Sequence, residues 1–295
     1  MATEIPYNRE LEFEYGKAAQ ITPLIRRVIA RNPSAFTFHG TGTYIIGTGQ
    51  VAIVDPGPDL AEHVDALLNA LRGETVSHIL VTHTHTDHSP AVKAVQEATG
   101  APSYAYGPHG TRPEDGTSEG GGDYDFMPDH RVGDGDVVTG KGWSVEALHT
   151  PGHCSNHLCF ALREEDTLLC GDHVMGWSTS IVSPPDGDMA EYMASLEKVG
   201  QFGAGRYIPT HGAPIDDPAP YVKALLAHRH EREDQIMAEL AAGPATIAEM
   251  VPRMYAAVDP KLYPAAARSV LAHLIHMVEK GRVTADGDVY RLTQD

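Results

Sequence analysis

The sequence predicts an α/β protein with a smaller helical module at its C-terminal end. Strand-like and helical segments alternate up to about residue 100, more strand-like segments follow residue 142, and helical patterns dominate after residue 217. The expected domains are therefore residues 1–217 and residues 218–295. A chain of 295 residues is long enough for one large and one small domain.

Composition and charge narrow the function classes. The 42% hydrophobic and 21% charged residues are ordinary for a soluble globular protein, and no apolar stretch approaches the roughly 20 residues of a membrane-spanning helix. Without a visible signal peptide, the three cysteines are expected to be reduced thiols in a cytoplasmic protein. A net charge of -18 disfavours non-specific nucleic-acid binding, but it does not exclude a nuclease, because local metal charge can hold a phosphodiester.

The first half of the chain shows strands and helices in turn. Strands are expected over residues 27–30, 43–46, 51–55 and 77–82. One helix, with Val64 and Leu67 on its apolar face, precedes the last of these strands. The next helix is expected to have Ser89 as its N-cap, Pro90 as its first residue and Gly100 at its end.

The second half begins after a Gly-rich segment, residues 107–125, which predicts a long flexible loop. Further strands are expected over residues 143–148, 158–162 and 167–170, and Asp188 with Glu191 predicts the start of a helix. The tail then shows helical patterns and a hairpin that turns at Asp286 and Gly287. This order predicts a winged-helix-like module, although no basic stripe of the kind that binds DNA is present.

Residues 83–88 concentrate three histidines and one aspartate directly after a predicted strand. Because side chains two apart on an extended segment point the same way, His83 and His85 can converge on one point. Asp87 and His88 can reach a second point nearby as the chain turns. Imidazole nitrogen and carboxylate oxygen are ligands that zinc accepts, so this segment predicts a metal site.

Three more residues of ligand type lie at strand ends beside Gly or Pro. They are His153, Asp172 and His211. Each alone would be an ordinary polar residue, but loops at one rim of a sheet can meet. Their shared placement extends the predicted metal site.

In this order, these residues resemble the five motif regions of the metallo-β-lactamase superfamily over about residues 20–215. The resemblance implies a four-layer αββα sandwich with a dinuclear metal site. It places His83, His85 and His153 on the first metal. It places Asp87, His88 and His211 on the second, with Asp172 bridging both. The implied cofactors are two divalent ions, with Zn²⁺ the first choice and iron or manganese as alternatives.

The resemblance also implies the chemistry, in which a metal-bridging hydroxide attacks an electrophilic carbonyl or phosphorus atom. Asp87 is the expected catalytic residue. Asp55 and His157 are expected to support the metal ligands from behind. His173 should point away and be structural, Cys154 is not an expected ligand, and residues 228–230 could reach the cleft or form a solvated helix face.

The bridging Asp172 resembles the hydrolytic branches of the superfamily rather than authentic zinc β-lactamases. Segments 171–176, 188–199, 209–214 and 228–233 look most like β-lactamase-like proteins related to the mitochondrial endoribonuclease, which also carry a winged-helix-like tail; glyoxalase II is a more distant likeness. The leading prediction is hydrolysis of a small ester, thioester or lactone, with a small acyl molecule as the partner.

The alternative is an endoribonuclease or phosphodiesterase acting on single-stranded RNA, which the charge of -18 does little to support. A third hypothesis, a metal-binding regulator whose tail contacts DNA, suffers from the missing basic stripe. A homodimer is a further expectation, and no membrane partner is expected.

Overall fold

In the computed structural model, which describes residues 3–110 and 121–293, two β-sheets pack face to face. The first sheet has seven strands in the spatial order β1-β2-β3-β4-β5-β6-β7. Its strands are β1 (Ala19–Gln20), β2 (Ile25–Ile29), β3 (Gly42–Ile46), β4 (Gln50–Val54), β5 (Thr75–Leu80), β6 (Ser103–Ala105) and β7 (His130–Arg131). The pairs up to β3·β4 are antiparallel, and the pairs from β4·β5 to β6·β7 are parallel.

The second sheet has five strands in the order β12-β11-β10-β9-β8. Its strands are β8 (Val137–Gly140), β9 (Trp143–His149), β10 (Leu158–Leu162), β11 (Thr167–Gly171) and β12 (Arg206–Pro209). Only β11 and β12 run parallel; the other neighbours are antiparallel. The ends of β5, β11 and β12 carry the loops in which His83, Asp172 and His211 lie.

Six α-helices complete the described chain. They are α1 (Ala61–Ala70), α2 (Val92–Thr99), α3 (Met189–Phe202), α4 (Pro218–Ala241), α5 (Ile247–Met254) and α6 (Tyr263–Glu279). The Asp188 side chain caps α3 by accepting a hydrogen bond from the Glu191 backbone N–H, as its sequence predicts. No helix among the described residues is both long enough and apolar enough to cross a lipid bilayer.

Four layers follow from where the apolar side chains are buried. Trp143 and Phe160 belong to the core between the two sheets. Leu67 and Val95 bury the faces of α1 and α2 against the first sheet. The helix α3 buries Leu196 on the outer face of the second sheet, together with residues of α4. The expected αββα sandwich is therefore confirmed.

A separate apolar cluster holds the C-terminal module together. The strands β13 (Ala245–Thr246), β14 (Val283–Asp286) and β15 (Val289–Leu292) form a three-stranded sheet in the order β13-β15-β14. Ile236 and Leu240, at the end of α4, pack into the same cluster as residues of α5 and α6. The predicted winged-helix-like module and its hairpin are confirmed, and α4 contributes to two cores.

The start of α2 differs from the sequence prediction, and the segment 107–125 extends beyond the residues that the structure describes. The start of α2 was predicted wrongly, because α2 begins at Val92 and not at Pro90. Ser89 does not cap the helix; its hydroxyl group donates a hydrogen bond to Asp123 at 2.6 Å. The expected long loop at 107–125 lies partly outside the described residues, and its described flank holds Asp123 N 2.8 Å from Thr84 O.

Candidate metal centre

Three histidine nitrogens face one another at the rim where the two sheets meet. His83 and His85 follow β5, and His153 lies between β9 and β10. His85 Nδ1 is 2.9 Å from His83 Nε2 and 3.0 Å from His153 Nε2. The predicted convergence of His83 and His85 is confirmed, and the loop after β9 supplies the third imidazole.

A second group of ligand-type atoms lies beside the first. His211 Nε2 is 3.2 Å from Asp87 Oδ2, and His88 Nε2 is 3.4 Å from the same oxygen. Asp172 Oδ2 lies between the two groups, at 3.4 Å from His211 Nε2 and 3.8 Å from His153 Nε2. All seven predicted residues are thus brought together, and we call them the His/Asp cluster.

The outward-facing nitrogens of four histidines are held by oxygen atoms. His153 Nδ1 donates to the Ile181 carbonyl group at 2.6 Å, and His211 Nδ1 donates to the Gly40 carbonyl group at 3.2 Å. His88 Nδ1 donates to Asp55 at 2.9 Å. A carbonyl or carboxylate oxygen only accepts, so in the neutral imidazole these bonds place the proton on Nδ1 and leave the Nε2 lone pair facing the cluster.

His83 follows the same pattern through Thr82. The Thr82 hydroxyl donates to Asp55 Oδ2 at 2.7 Å, so it accepts from His83 Nδ1 at 3.0 Å. Two buried atoms of the cluster, His88 Nε2 and Asp172 Oδ1, have no hydrogen-bond partner among the described residues. Buried polar atoms are rarely left unpaired. The inner lone pairs of the neutral imidazoles converge with two carboxylates, so the residues present suit the divalent metal that the fold implies.

The electrostatics of the cluster favour positive charge. Burial opposes ionisation of Asp87 and Asp172, but the imidazoles of His88 and His211 hold the pKa of both carboxyl groups well below the usual range. Burial disfavours the charged form of His211, yet the two carboxylates raise its pKa to about 10. Burial lowers the pKa of His83 instead. The negative potential around the carboxylates would equally stabilise a bound cation.

Asp55 is 1% exposed and lies directly behind the cluster. Besides His88, it accepts from the Thr82 backbone N–H at 2.7 Å and from the Thr210 hydroxyl at 3.3 Å. It therefore ties together the loops after β4, β5 and β12. Its backbone φ of 50° lies in the left-handed region that non-glycine residues seldom adopt. Such strain is retained where the surroundings fix the conformation.

His157 supports the backbone of Asp172. Its Nε2 accepts from the Asp172 backbone N–H at 3.2 Å, and its Nδ1 contacts the Thr150 hydroxyl at 2.9 Å. Gly171 makes this approach possible, because a Cβ there would lie 2.6 Å from His157 Nε2. Gly171 also has a φ of 52°, which favours glycine.

The neighbouring residues with weaker sequence claims stay outside the cluster. His173 packs beside Tyr192 with its ring centroid 5.1 Å away, and burial lowers its pKa to about 3. The Cys154 thiol contacts Asn156 Oδ1 at 3.3 Å, and burial raises its pKa. Neither residue is among the groups of potential metal-binding atoms found in the described chain.

A cleft of about 250 Å³ opens over the cluster. Its floor includes Asp87 and Asp172, and its apolar walls include Phe36, Met175 and Ile181. Sequence reasoning missed these walls, since nothing in the segment containing Phe36 distinguishes it from an ordinary strand connection. A polar floor beneath apolar walls is the usual lining of a small-molecule site.

Residues 228–230 were expected either to reach the cleft or to form a solvated helix face, and the structure shows both. Arg229 is 2% exposed and donates to the Ser180 carbonyl group, whereas His230 is exposed on α4. The Ser180 hydroxyl donates in turn to the Asp172 carbonyl group. Arg229 therefore reaches the loop beside the cluster, and its role was not predicted from the sequence.

The fold and the cluster define a hydrolase of the metallo-β-lactamase type. The sequence model of the Metallo-beta-lactamase superfamily matches residues 37–211, and that of the Beta-lactamase associated winged helix domain matches residues 246–291. The chain belongs to the metallo-beta-lactamase superfamily. Proteins of this superfamily typically bind divalent metals.

Several relatives cover most of the chain. The lactamase-like protein adaB of Aspergillus niger is 28% identical, covering 98% of this chain and 94% of its own length. An atrochrysone carboxyl ACP thioesterase of Claviceps purpurea is 33% identical, covering 77% of this chain and 68% of its own length. A protein named atrochrysone carboxyl ACP thioesterase AacuM, from Aspergillus aculeatus, is 34% identical over 75% of this chain and 66% of its own length.

Two solved structures share the whole fold. A beta-lactamase domain protein from Burkholderia ambifaria has a TM-score of 0.80 at 20% identity, covering 98% of this chain and 97% of that chain. A metallo-beta-lactamase family protein from Thermus thermophilus has a TM-score of 0.76 at 24% identity, covering 92% and 100%. The predicted superfamily is confirmed. The closer resemblance to proteins related to the mitochondrial endoribonuclease is not shown by these relatives and stays a prediction.

Proposed function

We propose that the chain hydrolyses acyl thioesters with two divalent cations held by the His/Asp cluster. The observation that carries this proposal is the set of outward hydrogen bonds, which leave the inner lone pairs of four histidines facing two carboxylates. Two bound cations would lower the pKa of a water molecule and stabilise negative charge that develops on a carbonyl oxygen.

The proposed ligands fall into the two sets that the superfamily resemblance implies. His83, His85 and His153 form one set of facing atoms, and Asp87, His88 and His211 form another. Asp172 Oδ2 lies within 3.8 Å of both sets and is the proposed bridge. Zinc suits this mixture of nitrogen and oxygen ligands, as do iron and manganese, so metal analysis of the purified protein must identify the ion.

The chain's own residues position the reacting groups. Thr41 donates to Asp87 Oδ2 at 3.1 Å, and the Ser180 hydroxyl fixes the backbone of Asp172. The first contact orients the Asp87 carboxylate and the second fixes the backbone that carries Asp172, as an arranged catalytic centre requires. Phe36 and Ile181 line the cleft and would hold an acyl chain while excluding water.

Thioesters are favoured over the other predicted substrates because relatives at 33% and 34% identity are named as carrier-protein thioesterases. Esters and lactones share the same reactive carbonyl group and stay secondary candidates. No contact in the described structure favours RNA, and a net charge of -18 opposes a polyanion. The homodimer predicted from the sequence also stays a prediction.

We also propose the division into residues 1–217 and 218–295. Helix α4 begins at Pro218, directly after this boundary. Its first half packs on the catalytic core through Tyr221 and Leu225, and its last turns enter the C-terminal core. The proposed boundary therefore coincides with the start of α4, while the packing is continuous across it.

The test is a parallel assay of metal content and substrate range. Metal-loaded protein is expected to hold two ions per chain and to cleave acyl thioesters. Asp87→Ala should lower kcat/KM at least about 100-fold, whereas Asp65→Ala, an exposed position on α1, is the matched control that retains it. Fewer than two ions per chain would overturn the dinuclear proposal. If the parent protein cleaves RNA but not thioesters, and Asp87→Ala loses the RNA cleavage, the substrate proposal is overturned.

A further inference from the structure

A second groove, of about 380 Å³, lies between the catalytic domain and the C-terminal module. Trp177 and the loop that follows it form one side. Arg229 and Arg232 of α4, with Tyr255 and Leu262 from the C-terminal module, form the other. Ligand pockets commonly start at about 300 Å³, so this interdomain groove is large enough for an extended small molecule.

The groove is continuous with the cleft over the His/Asp cluster. Phe36 and Ile181 line both spaces. The backbone of Ile181 also holds the ring of His153, at 2.6 Å between the carbonyl oxygen and Nδ1. A molecule whose reactive carbonyl group lies at the cluster can therefore extend past Phe36 into the groove.

The groove contains two positively charged side chains, Arg229 and Arg232. Neither Arg229 nor Arg232 forms an ion pair with a carboxylate within residues 3–110 and 121–293. Arg229 donates to a backbone carbonyl group, and Arg232 donates to Gln235 at 2.7 Å while lying 4.6 Å from the centre of the Tyr255 ring. In a chain of net charge -18, two arginines one helical turn apart without carboxylate partners point to an anionic ligand.

Three residues that line the groove each have a buried nitrogen atom that lacks a hydrogen-bond partner in the described part of the chain. These atoms are Trp177 Nε1, His228 Nδ1 and Arg229 Nε. Indole and guanidinium nitrogens only donate, so at least two of these atoms require an acceptor. Unpaired buried donors are costly, so the side chains gain free energy if a small shift brings these nitrogens within reach of an oxygen acceptor in the groove.

We propose that this groove holds the phosphopantetheine arm of an acyl thioester, with Arg232 at the phosphate group. The arm has two amide carbonyl groups that accept hydrogen bonds, a branched apolar segment and a terminal phosphate, in that order from the sulfur atom. This order matches Arg229, which is held at the Ser180 carbonyl group beside the cleft, and the half-buried Arg232 one turn farther along α4. The inference rests on the proposed thioesterase function and names the non-acyl part of its substrate.

The test compares substrates that differ only in the phosphate. Butyryl-phosphopantetheine is expected to have a kcat/KM about 10- to 100-fold above butyryl-pantetheine, which is the contribution of one or two charge-assisted hydrogen bonds. Arg232→Gln should reduce this ratio to about one, acting through KM, and Arg232→Lys should restore part of it. Arg291→Gln is the matched control, because Arg291 lies on β15 and pairs with Asp286 at 3.2 Å.

A binding measurement separates this inference from the proposed function. The S-methyl thioether of phosphopantetheine cannot be hydrolysed, so calorimetry with the metal-loaded protein reports the arm alone. Its affinity should exceed that of S-methyl pantetheine by the same factor and should fall in Arg232→Gln. Phosphate-dependent binding without thioester hydrolysis would overturn the proposed function alone. Hydrolysis without any phosphate preference in the parent protein would overturn the groove assignment alone.

Coenzyme A and an acyl carrier protein both supply this arm, and the assay includes each with a butyryl group. A loss of activity in Arg232→Gln for only one of them identifies that one as the source, and a loss for neither overturns the inference. A single-stranded RNA oligonucleotide serves as the competitor. If it displaces the thioether more strongly than phosphopantetheine itself does, the groove is assigned to a nucleic acid and the proposal fails.

Discussion

Replacing Asp55 by Asn should weaken one of the two proposed metal positions without touching any proposed ligand. The carboxylate accepts two N–H bonds, from Thr82 at its Oδ1 and from His88 at its Oδ2. Asparagine has one acceptor oxygen and one amide group that only donates. Whichever way the amide is turned, one of these two N–H groups faces another donor.

The size of the effect follows from the structure. One lost charge-assisted hydrogen bond with a buried donor left unpaired costs about 1–3 kcal/mol of folding free energy. If the bond to His88 is lost, its Nδ1 is no longer fixed as the protonated nitrogen. Loss of such a supporting contact typically lowers metal affinity about 10- to 100-fold. His153 and His211 keep their own oxygen partners, whereas His83 is linked to the same Asp55 oxygen through the Thr82 hydroxyl. The effect should therefore be largest at the position shared by Asp87, His88 and His211, where the direct contact is lost.

The assay is metal content after equilibration with graded concentrations of a chelator, together with chemical unfolding and kcat/KM. Asp55→Asn is expected to lose one of two ions at a chelator concentration that leaves the parent protein loaded. Asp65→Asn on the surface of α1 controls for the loss of one negative charge. Two ions bound at unchanged affinity, with unchanged activity, would refute the supporting role of Asp55.

Three further predictions concern the C-terminal core, the cleft and the metals. Burial opposes ionisation of Glu233, but the nearby His273 and the hydrogen bonds from Arg282 and His276 lower its pKa from 4.5 to about 2. A lowered folded-state pKa stabilises the protein above about pH 4.5 and loses that contribution as the pH falls towards 2, so Glu233→Gln should cost up to about 3 kcal/mol at pH 7 and almost nothing at pH 2, measured by urea unfolding. Phe36→Ala should raise KM for a butyryl thioester about 10-fold with kcat less affected, and a selective fall in kcat would contradict its role as a cleft wall. Removing metal with a chelator should lower the Tm by several degrees and abolish hydrolysis, and full activity in metal-depleted protein would exclude the metal mechanism.

The proposed metal site could be predicted from the sequence because local geometry determines much of it. An extended segment brings His83 and His85 to one side, and strand ends bring His153, Asp172 and His211 to one rim. The start of α2 could not be predicted. Ser89 has the side chain of a helix cap, but Asp123, 34 residues later in the chain, takes its hydroxyl group. Tertiary contacts override local preference in such cases.

The groove and the cleft walls also escaped the sequence analysis. Their residues come from distant segments, and Arg229 reaches Ser180 across 49 positions of the chain. No local pattern distinguishes such an arginine from one on a solvated helix. Short strands such as β7 and β13, two residues each, were missed for a related reason: they exist only through pairing with a neighbour. Packing between segments determines these features.

Helix α4 has a consequence for how substrate preference could change. Its 24 residues run without a proline or glycine beyond the first turn, and both ends are anchored in apolar cores. A helix of this kind is rigid over its length of about 36 Å and contains no hinge. Hinge opening between the two domains is therefore not expected as a way to admit substrates of different size. We therefore expect substrate selectivity to change through substitutions of side chains along α4, where protein engineering of this scaffold should begin.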